Sequence, residues 1–198
     1  MIAKTYTCSL LGVDAALIEV EVDLSSGLPY FTTVGLPDSI VRESKDRVKA
    51  ALQNSGYPFP MERITVNLAP ANMKKEGSGF DLPIAVGILS ALGMVNPKKA
   101  ESMMITGELA LDGRVKAVQG CLPMAVQARD SGYSEIAVPA ENAREAAVIK
   151  SVRVRPVNHL SEIVEFLNGR SDIPAQDSDL AGIWDAGPCE ELDLEDVK

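Results

Sequence analysis

With 198 residues, 46% of them hydrophobic, and a formal net charge of -9, the chain has room for one sizeable core, or for one domain with a tail. No apolar run approaches the roughly 18 residues of a membrane span, and Asp14 falls where a secretory leader would still be apolar, so a cytoplasmic protein without a membrane partner is expected. Cys8, Cys121 and Cys189 are too widely spaced for a CxxC metal knuckle and odd in number for a disulfide framework, which makes them free thiols.

In chain order, AKTYTCSL and AALIEVEVDL read as neighbouring strands. The second alternates Ile18, Val20, Val22 and Leu24 with Glu19, Glu21 and Asp23, so one of its faces is wet. After the turn SSGLP, YFTTVGL forms a third strand. PDSIVRESKDRVKAALQNSG is then a helix capped by Asp38 or Ser39, with Ile40, Val41, Val48, Ala51 and Leu52 as its apolar face and Gly56 as its stop. RITVNLA is a buried type of strand. The loop KKEGSGF leads into a helix from about Asp81 to Leu92, with Asp81 at the cap position, and this helix is apolar nearly all round and therefore buried. SMMITGELALDGRVKAV reads as two strands joined at the hairpin dipeptide Asp112-Gly113. A helix over 121–131, the strand EIAVP, a helix over 142–149, the strand VRVRPV and a helix over 160–167 complete an α/β domain whose mixed sheet is packed by helices.

The charge is uneven. From Ser171 onward nine acids face Lys198 alone, whereas residues 1–170 carry nineteen acids and eighteen bases. The acidic stretch has few aliphatics, several Pro and Gly, and Trp184 as its one large side chain, which is linker composition. The domain is therefore expected to end near Gly169. Its own near-neutral balance leaves room for a nucleic-acid-binding face.

Three chemistries compete for the stretch KKEGSGFDLP. A phosphate cradle of the P-loop type needs GxxxxGK[ST], and neither the lysine nor the hydroxyl follows the second glycine. A nucleophilic Ser78 needs a base. The single histidine, His159, opens the last helix as a cap-region residue, and Lys74 and Lys75 stand beside Glu76 on a loop that keeps them solvated and protonated. A hinge into a buried helix needs only the glycines.

Longer stretches carry a resemblance. VGLPDSIVRESKDRVKAALQNSGYPFP, ITVNLAPANMKKEGSGFDLPIAVGIL and TGELALDGRVKAVQGCLPMAVQA resemble the N-terminal domain of the magnesium-chelatase-like AAA+ ATPases, the ComM/YifB family, over essentially the whole chain. The resemblance implies a ribosomal-protein-S5-domain-2-like fold for residues 1–169, followed over 170–198 by an acidic linker toward an AAA+ ATPase module. That module would bind ATP and magnesium and assemble into a homo-oligomeric ring, which in ComM drives branch migration during natural transformation. No Walker sequence occurs in these residues, which call for no cofactor or metal of their own. More distantly, the same stretches are similar to the proteolytic domain of Lon, which uses a Ser-Lys dyad. Matching SAL and TGEL to that pattern places the serine position at Gly79 and the lysine position at Met124, so both catalytic groups are missing and Ser78 lies one residue early.

The expectation is a non-catalytic accessory domain serving DNA processing. Arg42, Lys45 and Lys49, at i, i+3 and i+7, make a basic stripe opposite the apolar face of their helix and are candidates for phosphate contact, joined by Lys74 and Lys75 and, if they cluster, by Lys98, Lys99 and Arg114. The commoner meaning of such a stripe is a solvated face with local pairs such as Glu43 with Arg47. Cys121, at a helix start after Gly120, is either a thiol of lowered pKa or a buried structural one. The alternatives are a Lon-like serine hydrolase relative with residual activity at Ser78, and a subunit of a magnesium chelatase.

Overall fold

A computed structural model describes residues 1–178. Its centre is a seven-stranded mixed sheet in the order β3-β4-β2-β1-β5-β8-β9. The strands β1 (Ile2–Leu11) and β2 (Asp14–Ser25) pair antiparallel in unbroken register from Ile2↔Asp23 to Leu11↔Asp14. β4 (Arg63–Ala69) runs antiparallel to β2, and β3 (Tyr30–Val34) lies parallel to β4 as one edge. On the other side of β1, the short β5 (Met104–Ile105), β8 (Glu135–Pro139) and the far edge β9 (Arg153–Val157) are all parallel. β6 (Glu108–Leu109) and β7 (Val115–Lys116) form a separate two-stranded hairpin.

The period-2 pattern of β1 and β2 divides the molecule into two cores. Ala3, Ile18, Val20, Val22 and Leu24 face one layer with Ile64, Val66 and Leu68, and are covered by α1 (Ser39–Asn54), α2 (Asp81–Ala91), α3 (Pro97–Glu101) and α6 (Leu160–Leu167). Cys8 and Met104 face the opposite layer, under α4 (Cys121–Asp130) and α5 (Ala143–Ala146). Every residue of α2 is buried, as its all-round apolar sequence requires. Its close approach to β2 depends on Gly87, where a Cβ would stand 2.7 Å from a methyl of Val22.

The α/β class and the mixed sheet agree with the sequence, and several local expectations are corrected. Residues 104–116 do not form one pair of strands: β5 enters the main sheet, and only Glu108–Lys116 closes around Asp112-Gly113. The helix expected over 142–149 is a 3₁₀ turn, Ala140–Asn142, followed by the short α5. α3 was not foreseen, although Asn96 caps it by accepting from the Lys98 N–H and Pro97 opens its first turn. In α1, capped as expected by Asp38, Ile40 is 43% exposed, and the buried face instead includes Ser44. Core contacts run past Gly169: Ile173 is buried, and the Gln176 N–H donates to the carbonyl of Val154. Trp184, Cys189 and most of the acidic stretch lie outside the described residues.

Candidate functional site

The loop before α2 is held by a clamp from α1. Asp81 is not the helix cap: the cap position is Phe80, which makes no side-chain bond there. The Asp81 carboxylate turns inward, fully buried, and accepts from Arg47 Nε at 2.6 Å, Arg47 Nη2 at 3.0 Å, the Leu109 N–H at 3.2 Å and the Ser44 hydroxyl. Burial pushes this carboxyl above its ordinary range, against the opposing pull of Arg47, Ser44 and the Leu109 N–H. The same contact holds the Arg47 guanidinium above its usual value. Arg47 also meets Glu43 at 3.8 Å, the local pair expected from sequence, but Asp81 is much the closer partner. The Asp81-Arg47-Ser44 cluster thereby fixes α1, α2 and the β6–β7 hairpin against one another.

Beside this clamp opens a cleft of about 660 Å³ whose lining includes Ser78, Gly79 and Met124. The two positions of the altered dyad are thus brought together, with Ser78 next to them. Cys8, Leu10, Ile40, Phe80 and Val118 supply apolar lining, and Asp38, Glu76 and Glu108 give an acidic rim. No lysine or histidine is among its lining residues. Lys74 pairs with Glu76 at 2.6 Å on the exposed loop. Lys75, expected to be solvated, is fully buried. Its ammonium donates to the carbonyls of Pro70 and Met73, the latter at 2.8 Å, and burial lowers its pKa. It serves as an internal brace for the 70–73 turn and does not belong to a DNA-facing surface. Gly79 is crowded from the other side, since a Cβ there would lie 2.8 Å from the Thr106 hydroxyl oxygen. Cys121 and Cys8 are buried thiols pushed up to about 12 by burial, which removes the reactive-thiol alternative for Cys121. His159 caps α6 by accepting from the Ser161 N–H, as its position in the sequence suggested, and its Nε2 lies 3.0 Å from the Asp112 carbonyl oxygen.

The basic stripe takes a different course. Arg42, Lys45 and Lys49 are exposed on α1, and no carboxylate among the described residues lies within 4.0 Å of them. The other candidate cations do not join them. Lys99 reaches Glu135 at 3.5 Å near the β9 edge of the sheet, Lys98 sits beside it on α3, and Arg114 is paired with Asp112 at 2.8 Å. What lies next to the stripe is a groove of about 230 Å³, lined by Lys45 and Lys49 together with Tyr30, Phe31, Phe59 and Met61. Sequence reasoning missed this groove. Its signal was the proline-flanked aromatic pair in Tyr57-Pro58-Phe59-Pro60, which returns the chain from α1 toward β4.

Comparison with known proteins bears on this arrangement. Residues 20–142 match the family described as subunit ChlI of Mg-chelatase. The competence protein ComM of Haemophilus influenzae is 41% identical over 173 residues, which is 87% of this chain and 34% of that protein. YifB of Salmonella typhimurium is 41% identical over 199 residues, 99% of this chain and 38% of that protein. A Lon protease of Aster yellows witches'-broom phytoplasma is more distant, at 28% identity over 159 residues, 74% of this chain and 20% of the protease. The chain therefore spans little more than a third of the length of its ComM and YifB relatives. The family match takes in the second half of β2 and continues through α1, α2 and α4, and on that span the chain belongs to the family of subunit ChlI of Mg-chelatase, with ComM and YifB among its homologues.

Proposed function

We propose that these residues form a non-catalytic accessory domain of a longer magnesium-chelatase-like AAA+ ATPase of the ComM type, acting in DNA processing, and that α1 contributes a backbone-gripping surface. The observation that carries the non-catalytic part is the cleft itself. Ser78 shares it with Gly79 and Met124, no lysine is among the lining residues, and the lysines nearest in sequence are engaged, Lys74 with Glu76 and Lys75 with two backbone carbonyls. A serine hydroxyl without a base to take its proton is a poor nucleophile. ATP and magnesium belong, in this proposal, to a module outside these residues, as does ring assembly.

DNA contact is supported by the three exposed cations of α1, which a DNA-acting parent would use without sequence preference. Fluorescence anisotropy with a DNA probe across a salt series tests it. Replacing Arg42, Lys45 and Lys49 one at a time by Ala is expected to lower the slope of log affinity against log salt by about one unit per contacting residue. Unchanged slopes in all three variants would remove α1 from the interface.

A second proposal, a hydrolase relative with residual chemistry, has one observation in its favour, the placement of Ser78 in a roomy cleft beside the former dyad positions. Fluorophosphonate labelling at Ser78 that disappears in Ser78→Ala would establish it. No labelling is expected.

A further inference from the structure

The groove beside α1 has a composition that a charge-only grip does not need. Tyr30 is 58% exposed and Met61 76% exposed, at the start of the edge strand β3 and in the turn before β4. Phe31 and Phe59 stack with ring centroids 6.5 Å apart and planes 19° apart. Two cations already lie against these rings. Lys49 Nζ is 5.8 Å from the Phe59 centroid, and the Arg63 guanidinium is 5.7 Å from that of Tyr30. Among the described residues, neither Lys45, Lys49 nor Arg63 has a carboxylate within 4.0 Å. Glu62 is the one acid in the lining. Asp46 is not among the lining residues, although it follows Arg42 by four positions and precedes Lys49 by three and so neighbours both on the helix surface.

We propose that this groove binds single-stranded nucleic acid, with bases stacking on Tyr30 and Phe59 while Lys45 and Lys49, flanked by Arg42 and Arg63, hold the phosphates. The inference rests on the assignment of α1 to nucleic acid and adds the strandedness and the base contacts. A duplex keeps its bases stacked inside and offers mainly phosphates to a surface of this kind, so exposed rings add nothing to its binding. A single strand presents a π-face at every nucleotide, and a positive groove lined with aromatic side chains takes it without reading its sequence. Lys49 and Arg63 lie over the ring faces without a nucleic acid; a stacking base would displace them from those faces to the adjacent phosphate, so that a base and its own phosphate are engaged together.

Anisotropy on the 198-residue chain with three labelled probes tests this: an oligothymidylate, an abasic deoxyribose-phosphate strand of equal length, and a duplex. The oligothymidylate is expected to bind about fivefold or more tightly than the abasic strand, the lower bound for one stacked base. Tyr30→Ala and Phe59→Leu should abolish that preference without changing the salt slope, and Tyr30, being exposed, can be removed without disturbing the core. Equal affinity for the oligothymidylate and abasic strands, or a preference that survives both aromatic variants, overturns the stacking groove and leaves α1 as a charge-only surface. Failure of all three probes to bind overturns both. Displacement of the oligothymidylate by a polyglutamate peptide at lower concentration than by unlabelled oligothymidylate would assign the groove to an acidic protein segment and reject the nucleic-acid proposal.

Discussion

The first turn of α1 borders the cleft and its later turns border the groove, and the two depressions differ in the charges set around their apolar walls. The cleft is the larger, about 660 Å³ against about 230 Å³, and has apolar walls and an acidic rim. It holds Ser78, with no lysine or histidine among its lining residues. The groove is small and aromatic, is bordered by Lys45 and Lys49, and has no counterpart in the dyad pattern. The backbone around the cleft is held by buried contacts: Asp81 with its donors, Lys75 bracing its turn, and Gly79 close against Thr106. On the non-catalytic proposal, the cavity needs no reactive group to persist, because these contacts do not involve Ser78 or Met124.

The sharpest way to break this contrast is to look for a nucleophile in the cleft other than Ser78. Cys8 lines it, and burial pushes its thiol to about 12, as it does that of Cys121. In a Cys189→Ser background at mildly alkaline pH, both thiols should react with a disulfide reagent at least about tenfold more slowly than a free thiol, because little thiolate is present and its higher basicity offsets only part of that loss. Fast release of one equivalent from the folded chain would make the cleft chemically competent after all.

The clamp between the two depressions comes next. Arg47→Ala leaves the fully buried Asp81 without its charged partner, which should cost about 3–5 kcal/mol in urea unfolding. Both depressions should suffer together, since α1 borders each of them. A loss below about 1 kcal/mol would mean that the ion pair is idle and that packing alone keeps the cleft open.

The smallest effect concerns charge at a distance. Seven acids and one base follow Ser178, and the structure moves the safe truncation point there from Gly169, because Ile173 is in the core and Gln176 is bonded to Val154. Removing residues 179–198 should strengthen DNA binding roughly twofold or more at low salt. The gain should vanish near 1 M, where the screening length falls to about 3 Å. A gain independent of salt would point to direct occlusion of the groove.

The main elements were legible because their signals are local. Alternation along β2, the apolar run of α2 and the capped amphipathic pattern of α1 each need only neighbouring residues. Asp81 was misjudged because an acid before an apolar run has the sequence of a cap, while its true partner is 34 positions away. Lys75 was misjudged because charge predicts exposure unless acceptors are supplied, and the turn at 70–73 supplies them. Ser44 went unnoticed on the apolar face of α1, although its spacing from Val41 and Val48 already placed it inside. The alignment of Gly79 and Met124 in one cleft came from the family resemblance. The groove depends on where the chain goes after α1, which no periodicity encodes.

The strand order has a mechanical side. β1 is bound to β2 along ten consecutive register pairs but to β5 through the single pair Tyr6↔Met104. The half that carries the groove, β3-β4-β2-β1, and the all-parallel half that leads to the C-terminal end are joined in the sheet by that one rung, with α4 laid across it as a splint against β1, β2 and β8. Tension entering at the groove and leaving through β9 would load this seam first. That helix, more than the sheet's hydrogen bonds, would set how much force the domain transmits before it gives way.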